Sequence, residues 1–235
     1  MQKTFKAIRN GDIDTVKAIL AAHPEEINAV AKQPPKKDDG QSLLQVALKT
    51  GHLDIADYLL DQNVNVNYME PTECCNEWRM PVLHDAIRCA IMNCRWNSRD
   101  YITKEFIVHS TADNATKAYN ILVRMLELGA EITAKDSYGN SALERAILDA
   151  RQILPLYNYT TKEVNDNRMV TDELRADLNR IFSLLLSRGA SLQWIDRVTG
   201  KTIAELYAEE PVVEFFSVPN QNVKKSPFWK KLFRG

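Results

Sequence analysis

The stretch DDGQSLLQVALKTGHLDIADYLLDQNVNVN, residues 38–67, has the hydrophobic pattern of two short helices joined by a tight turn. Leu44 and Ala47 belong to the first apolar stripe, and Gly51 interrupts the pattern after that stripe. The second stripe consists of Ile55, Leu59 and Leu60. Apolar residues three or four positions apart line one face of a helix, and a glycine between two such stripes is typical of a turn. The segment therefore predicts a helix–turn–helix unit.

Parts of the same pattern recur at four other places in the chain. The segment PVLHDA contains the pattern Leu-His-x-Ala, which ends at Ala86. The related segment DSYGNSALERA ends at Ala146. The four segments are residues 1–20, 81–86, 136–146 and 199–206. The pattern resembles the ankyrin repeat, a helix–turn–helix unit of 33 residues whose first helix opens on T-P-L-H-x-A.

The resemblance implies an all-α ankyrin-repeat solenoid that forms a single domain over residues 1–235. Its outer two units match the pattern least, as expected of end repeats that cover a neighbour on one side and face water on the other. The predicted units are approximately 1–37, 38–77, 78–135, 136–196 and 197–220, followed by a tail at 221–235.

The distances between units show where residues have been added. The alanine that marks each first helix is Ala7, Ala47, Ala86 or Ala146, with Tyr207 in the equivalent position of the last unit. The successive separations are 40, 39, 60 and 61 residues, against a repeat of about 33. In units three and four the two apolar stripes also lie 27 residues farther apart than in unit two. We therefore predict lengthened helical hairpins in repeats 3 and 4, and lengthened fingers, the loops between units, earlier in the chain.

Both lengthened units contain the sequence Tyr-x-Thr-Lys-Glu, starting at Tyr101 and at Tyr159. We place both copies in loops at the far ends of the lengthened hairpins. One interpretation is that unit four arose by duplication of unit three, with Thr103 and Thr161 capping the next turn. The other is a two-lobed binding edge in which Tyr101 and Tyr159 are aromatic anchors. The sequence leaves both interpretations open.

Charge and composition exclude several classes of function. The chain has 30 Lys and Arg against 31 Asp and Glu, for a formal net charge of −1. General nucleic-acid binding requires a surplus of basic residues, so we expect no nucleic-acid partner. Residues 1–16 reach charged positions at once and contain no apolar run typical of a signal peptide or membrane span. We therefore expect a cytoplasmic protein with reduced cysteines.

No catalytic motif is visible. The segment VTGKT at 198–202 lacks the earlier glycine of a phosphate-binding loop, and no G-x-S-x-G, H-E-x-x-H or kinase motif occurs. The cysteines and histidines offer one zinc hypothesis, but no C-x-x-C pair exists, and Cys89 and Cys94 point in different directions on one predicted helix. We therefore expect no enzyme activity, no metal and no cofactor. The zinc ligands considered are Cys74, Cys75, His84, Cys89, Cys94 and His109.

The resemblance also implies a binding surface. Ankyrin repeats generally bind proteins through the concave surface made by the fingers and the first helices. An aromatic residue recurs in each predicted finger, and Tyr and Trp dominate the energetics of protein interfaces. The predicted protein-binding residues of the fingers are Tyr68, Met69, Trp78, Tyr138 and Trp194. Packing beneath the finger is the alternative for both tryptophans.

The tail KKSPFWKKLFRG, residues 224–235, is the most basic element of the chain. Ser226 and Pro227 suit the cap and the first position of a short helix with an apolar face. We predict that this C-terminal helix caps the last repeat, because terminal repeats need covering. Contact with an anionic membrane or with a partner is the alternative.

The sequence thus predicts a non-enzymatic, monomeric scaffold that binds another protein and blocks or positions it. One alternative is a microbial immunity protein or effector that binds a specific toxin or host protein, since short ankyrin proteins with irregular inserts resemble those of bacteria and their viruses. An alternative from a different class is a small-molecule or metal-dependent enzyme with its site between the two insertions.

Overall fold

The computed structural model of the protein describes residues 2–192 and 199–216. Within these ranges the chain forms a series of helix pairs. The first helices are α1 (Gln2–Arg9), α3 (Leu43–Thr50), α5 (Val82–Met92), α7 (Ala142–Ile153) and α9 (Ile203–Leu206). The second helices are α2 (Ile13–Ala22), α4 (Leu53–Asp61), α6 (Ala112–Glu127) and α8 (Asp172–Ser187). Short 3-10 turns occupy Pro24–Asn28, Lys36–Asp38 and Pro211–Phe215.

Helices of the same kind stack side by side. The first helices follow one another in the order α1, α3, α5, α7, and the second helices in the order α2, α4, α6, α8. Between the two layers lies one continuous apolar core that extends from Phe5 to Phe216. Because each pair packs chiefly on its neighbours, the arrangement is that of a solenoid. The prediction of a mainly α-helical repeat fold is confirmed.

Three of the first helices begin at a reciprocal N-terminal cap. At α3 the Ser42 hydroxyl accepts a hydrogen bond from the backbone N–H of Gln45, while the Gln45 side chain accepts one from the backbone N–H of Ser42. Each exchange satisfies two N–H groups that the helix itself cannot bond. The corresponding pairs are Ser141 with Glu144 at α7 and Thr202 with Glu205 at α9.

The turn between α1 and α2 requires glycine for two reasons. Gly11 has a φ of +72°, in the left-handed region. A Cβ at this position would also lie 2.7 Å from Cε1 of His52, which packs across the turn. The His52 Nε2–H donates a hydrogen bond to the carbonyl of Arg9 at 3.2 Å. His52 therefore has a structural role at this turn.

The third and fourth helix pairs are longer than the second. The helices α5 and α6 have 11 and 16 residues, and α7 and α8 have 12 and 16, against 8 and 9 in α3 and α4. The helix α6 begins after Thr111, whose hydroxyl accepts a hydrogen bond from the N–H of Asn114. Thr171 caps α8 in the same way, by accepting from the N–H of Leu174. The size of the insertions, 27 residues each, stays a prediction. The boundaries of the units stay a prediction as well.

A short β-hairpin lies inside each of these pairs. Strands β1 (Asn97–Arg99) and β2 (Phe106–Val108) pair antiparallel between α5 and α6. Strands β3 (Tyr157–Asn158) and β4 (Glu163–Val164) pair in the same way between α7 and α8. The sequence predicted only loops here, and that prediction is corrected. Strands of two or three residues are too short to show a readable alternation of apolar and polar residues.

The C-terminal part of the described chain closes the apolar core. The turn Pro211–Phe215 packs against α7 and α8. The Phe182 ring of α8 stacks on Phe215 at 5.8 Å between ring centroids and lies 6.1 Å from Phe216. Trp194 and the predicted capping helix of the tail lie outside the described residues.

Candidate functional site

Two closed loops project from the solenoid ahead of the first helices. The first finger, residues 30–42, is closed by an antiparallel bridge between Val30 and Ser42. The second finger, residues 68–81, is closed in the same way between Met69 and Pro81. The third finger is the turn at residues 135–140, where the N–H of Asp136 bonds to the carbonyl of Asn140 at 3.0 Å. These three fingers together with the first helices are named the finger face.

Tyr68 links the first two fingers. Its hydroxyl donates to the carbonyl of Gly40 at 2.6 Å, and its ring is half-buried against the core. Burial, with the nearby Glu70 and Cys74, raises the pKa of Tyr68 to about 12, so the hydroxyl keeps its proton. The Tyr68 side chain, a predicted binding residue, is thus largely engaged in contacts within the protein. Met69 is likewise half-buried.

Trp78 lies at the edge of the second finger and is 39% exposed. Its indole Nε1–H donates to the Asp136 carboxylate at 3.0 Å, which joins the second finger to the third. The guanidinium of Arg145 lies 5.1 Å from the ring centroid. One part of the ring is therefore fixed by the protein, while the rest faces solvent.

Tyr138 stands on a turn that Asp136 organises. The other carboxylate oxygen of Asp136 accepts hydrogen bonds from the N–H groups of Tyr138 and Asn140, each at 2.9 Å. Partial burial alone would raise the pKa of Asp136, but the bonds from Asn140 and Trp78 outweigh it and lower that pKa. The Tyr138 side chain is 67% exposed on this fixed backbone. An aromatic ring is thus presented to solvent by a turn with little freedom left to lose.

The floor between α3 and α5 is a buried polar network. The Gln45 amide donates to Glu70 at 3.0 Å, to the carbonyl of Met80 at 3.2 Å and to Asp85 at 3.0 Å. Both carboxyl groups are buried. Desolvation, together with the neighbouring Glu70, raises the pKa of Asp85 to about 7. Gln45 therefore holds the base of the second finger against α5.

A second buried cluster lies between α5 and α7. Arg145 donates two hydrogen bonds to the completely buried Asp149, at 2.7 and 2.8 Å, and Arg88 donates a third at 2.7 Å. Charged groups are tolerated in such surroundings only when they are paired. The cluster fixes Arg88, which is partly exposed at the edge of the groove between α3 and α5.

A row of cations on the first helices was missed at the sequence level. Arg9, Lys49 and Arg88 each stand two residues after the alanine that marks their helix. Equivalent positions of stacked repeats lie side by side, so this recurrence predicts a line of positive charge across the finger face. The fourth helix has Leu148 at this position.

The repeated Tyr-x-Thr-Lys-Glu sequence forms the turns of the two β-hairpins. Asp100 and Asn158, which precede the two tyrosines, each accept hydrogen bonds from the N–H groups two and three residues later, at 2.7 to 3.2 Å. Lys104 and Lys162 have φ values of 64° and 61°. Such a turn followed by a left-handed residue is typical of hairpin loops longer than two residues. The two copies therefore share one backbone conformation.

The two hairpin tyrosines have different surroundings. Tyr101 is 91% exposed at the tip of the first hairpin, beside the equally exposed Ile102. The Tyr159 hydroxyl instead donates to Glu210 at 2.6 Å, and its ring packs edge-on against Tyr157 with 5.0 Å between centroids. Tyr101 is available for contact, whereas Tyr159 also fastens the second hairpin to the C-terminal segment.

The first hairpin is bonded to the segment that follows the second. The N–H of Arg99 donates to the carbonyl of Asn167 at 2.8 Å, and its guanidinium pairs with Asp166 at 2.6 Å. The two hairpins therefore form one edge of the molecule, to which sequence patterns alone gave no clue.

The thiols and histidines are dispersed over the fold. Cys89 and Cys94 are buried in and just after α5, and desolvation raises both pKa values, that of Cys89 to about 12. Burial also lowers the pKa of the His84 imidazole to about 4, so the ring is neutral. Within residues 2–192 and 199–216, no group of three or more His, Cys, Asp or Glu is placed to hold a metal ion.

Comparison with known families agrees with the architecture. The family model for ankyrin repeats, in three copies, matches residues 4–97, a range that contains the helices α1 to α5 and the first two fingers. No curated protein matches the chain. None of the helices in the described part of the chain has both the length and the apolarity needed to cross a membrane. Residues 4–97 are therefore ankyrin repeats, as the sequence predicted.

Proposed function

We propose that the chain is a non-enzymatic scaffold, monomeric and cytoplasmic, that binds another protein and thereby blocks or positions it. Ankyrin repeats are generally protein-interaction modules. The contact surface would combine the finger face with the tip of the first hairpin. The observation that carries this proposal is the Asp136 carboxylate, which holds both the Trp78 indole and the backbone of Tyr138.

The arrangement at Asp136 suits a binding hot spot. Association loses free energy when loops and side chains are ordered, and a turn that is already fixed avoids most of that loss. Tyr and Trp provide large contact areas with only two side-chain torsions each. Tyr138 is thus the strongest candidate anchor on the finger face, with Trp78 beside it on the same carboxylate.

Among the described residues, Ser98 and His109 form a contact that resembles part of a catalytic site. The Ser98 hydroxyl lies 2.6 Å from Nε2 of His109, whose ring stacks on Trp96 at 4.1 Å between centroids. A serine nucleophile also needs a group that orients the imidazole and donors for the developing oxyanion. No described carboxylate bonds the other ring nitrogen of His109, and the pair lies on an exposed hairpin.

The proposal is tested by identifying the partner and measuring its affinity for single-residue variants. Tagged protein is used to capture proteins from an extract of the native host, and the captured protein is then purified and titrated by calorimetry. We expect Tyr138→Ala to weaken the complex by about 2 kcal/mol, in the range of interface hot spots. Tyr101→Ala tests the hairpin tip in the same titration.

Leu128→Ala is the matched control, because Leu128 is an exposed apolar residue at the end of α6 and belongs neither to the finger face nor to the hairpin tips. It should leave the affinity unchanged. The proposal is wrong if no protein is retained specifically, or if both tyrosine variants bind the partner as tightly as the wild-type protein does.

A further inference from the structure

The N-terminal end of the finger face is lined by positive charge. An open cavity of about 450 Å³ lies between α1 and the first finger. Of the described residues that line it, four are cationic and none is acidic. The cationic residues are Lys3, Lys6, Arg9 and Lys32. Phe5 and Pro34 supply apolar surface.

The next cavity along the finger face is also lined by four cations, together with Glu70, Glu77 and Asp85. It has a volume of about 540 Å³ and lies between α3, α5 and the first two fingers. Its cationic residues are Lys36, Lys37, Lys49 and Arg88. A smaller cavity of about 260 Å³ continues from it along α3 and α5 and shares Lys49 and Arg88.

One buried carboxylate pairs with a cation from each of the two larger cavities. Asp38 is buried, pairs with Arg9 at 2.9 Å and lies 3.6 Å from the Lys49 ammonium group. Lys49 also donates to the carbonyl of Lys37 at 2.6 Å. The eight basic residues of these two neighbouring cavities are named the cationic groove. Its central cations are held in place before any partner arrives.

The acidic residues of this region lie mostly below the cations. Glu70 and Asp85 are buried at the floor, where Gln45 bonds both carboxyl groups. Glu77 is exposed at the edge of the second cavity. Because the formal net charge of the chain is −1, the positive charge of the groove is a local concentration. Such a patch attracts and orients an oppositely charged partner.

We infer that the cationic groove receives an acidic segment of polypeptide, whose carboxylates contact the basic rim while its apolar side chains contact Trp78 and Met80. This inference rests on the proposed function, because the segment belongs to the partner protein. It names the chemistry of that partner: Asp and Glu interspersed with apolar residues.

A nucleic acid fits the groove less well. A phosphodiester chain carries a negative charge on every residue, so some phosphates would lie against the carboxyl groups of Glu70, Glu77 and Asp85. A polypeptide can place carboxylates only where the rim is basic and set neutral or apolar groups over the acidic floor. Trp78 and Met80 line the second cavity and suit those apolar groups.

The test measures fluorescence anisotropy with three labelled probes and the full chain. The first probe is a synthetic peptide of repeated Glu-Leu-Glu-Asp units, the second has Gln and Asn in place of Glu and Asp, and the third is single-stranded oligothymidylate. We expect the acidic peptide to bind, the neutral peptide not to bind, and the affinity for the acidic peptide to fall as salt is added.

The decisive variant reverses three exposed cations of the groove, Lys6→Glu/Lys32→Glu/Lys37→Glu, whose ammonium groups bond no other described residue. We expect the acidic peptide to bind at least about tenfold more weakly, since three favourable pairs become repulsive. The matched control, Lys17→Glu/Lys162→Glu/Lys201→Glu, changes three exposed lysines outside the finger face and the first hairpin tip, alters the net charge equally and should stay within about twofold. Circular dichroism melts confirm that both variants are folded.

Three results with the labelled probes would overturn the inference. The first is that the acidic peptide does not bind at low salt. The second is that the groove variant and the control bind the acidic peptide equally weakly. The third is that oligothymidylate binds more tightly than the acidic peptide and that the groove variant loses this binding. The last result would identify the groove as a nucleic-acid site. With the native partner, binding that Tyr138→Ala abolishes but the groove variant leaves intact would reject the inference and keep the proposed function.

Discussion

Asn97 and Met169 exchange two hydrogen bonds across the edge that the two hairpins share. The Asn97 amide donates to the carbonyl of Met169 at 3.0 Å, and the N–H of Met169 donates to the Asn97 side-chain oxygen at 2.8 Å. Asn97 is almost completely buried. One side chain of β1 thus satisfies both backbone groups of a residue 72 positions later in the chain. This is how the hairpin of the third helix pair is fastened to the fourth pair.

Replacing Asn97 by Ala should destabilise the protein. Two hydrogen bonds are lost, and the N–H and carbonyl of Met169 lose their partner at a partly buried edge, so we expect the free energy of unfolding to fall by roughly 1–3 kcal/mol. Urea unfolding followed by circular dichroism measures the change. Asn114→Ala is the control, because Asn114 is exposed on α6 and should change stability by less than about 0.5 kcal/mol. Equal effects of the two variants would contradict a fastening role for Asn97.

Asp149 should be among the most sensitive positions of the chain. Its carboxylate is buried and is the partner of both Arg88 and Arg145. In Asp149→Ala the buried Arg145 guanidinium loses its only carboxylate among the described residues, and we expect a loss of about 3–5 kcal/mol in the free energy of unfolding. Thermal and urea unfolding provide the measurement.

An exposed ion pair provides the comparison for Asp149. Asp166 pairs with Arg99 at 2.6 Å, but its side chain is largely in solvent. Asp166→Ala should therefore cost no more than about 1 kcal/mol. If Asp149→Ala proved as mild as Asp166→Ala, the cluster between α5 and α7 would not be a source of stability.

The repeat architecture was predictable because its signals are local. The apolar stripes, the glycine turn and the Ser and Thr caps at Ser42, Ser141 and Thr202 each lie within a few residues of the structure that they specify. The same sequence positions recur, so each unit supports the assignment of the others.

The candidate site was predictable only in part. Tyr138 was found from the recurrence of an aromatic residue in the fingers, but its support by Asp136 and the link to Trp78 depend on the folding of two separate fingers. The contact between Arg99 and Asn167 likewise joins residues 68 positions apart. Contacts of that kind leave no periodic signal in a single sequence. The cations of the groove did leave one, in the recurring position of Arg9, Lys49 and Arg88.

The hairpin turns offer a way to stabilise the protein. Lys104 and Lys162 have positive φ values, a conformation that is unfavourable for residues with a Cβ and that glycine adopts readily. The relief is partly offset by the greater freedom of glycine in the unfolded chain. We therefore expect Lys104→Gly and Lys162→Gly each to raise the free energy of unfolding by about 0.5 kcal/mol. Calorimetric melting temperatures measure the effect.

Lys135→Gly is the control for the hairpin turns, because Lys135 is exposed in the third finger and has no positive φ. There, glycine only adds freedom to the unfolded chain, so stability should stay the same or fall slightly. A loss of stability in the two hairpin variants would contradict the shared turn conformation.

The buried carboxyl group of Asp85 should make stability depend on pH. It faces Gln45 of α3 and Glu70 of the second finger, with Lys49 and Arg88 nearby. Desolvation is the main cause of its raised pKa of about 7, and Glu70 adds to it. In the unfolded chain the pKa of an aspartate is about 3.9. The folded protein therefore binds this proton more tightly than the unfolded chain does.

The sign follows from that difference. Between about pH 4 and pH 7 the folded state holds more protons, so Asp85 lowers the stability of the protein as the pH rises, by roughly 2–4 kcal/mol in all. Asp85→Asn can still accept the bond from Gln45 and removes this dependence. We expect the variant to gain stability relative to the wild-type protein across the window and to be the more stable of the two at about pH 8. Asp136→Asn should behave oppositely, because the lowered pKa of Asp136 means that its carboxylate stabilises the fold above its unfolded pKa. Urea unfolding at several pH values measures these dependences. A difference in the free energy of unfolding between Asp85→Asn and the wild-type protein that stays the same at every pH would contradict the prediction.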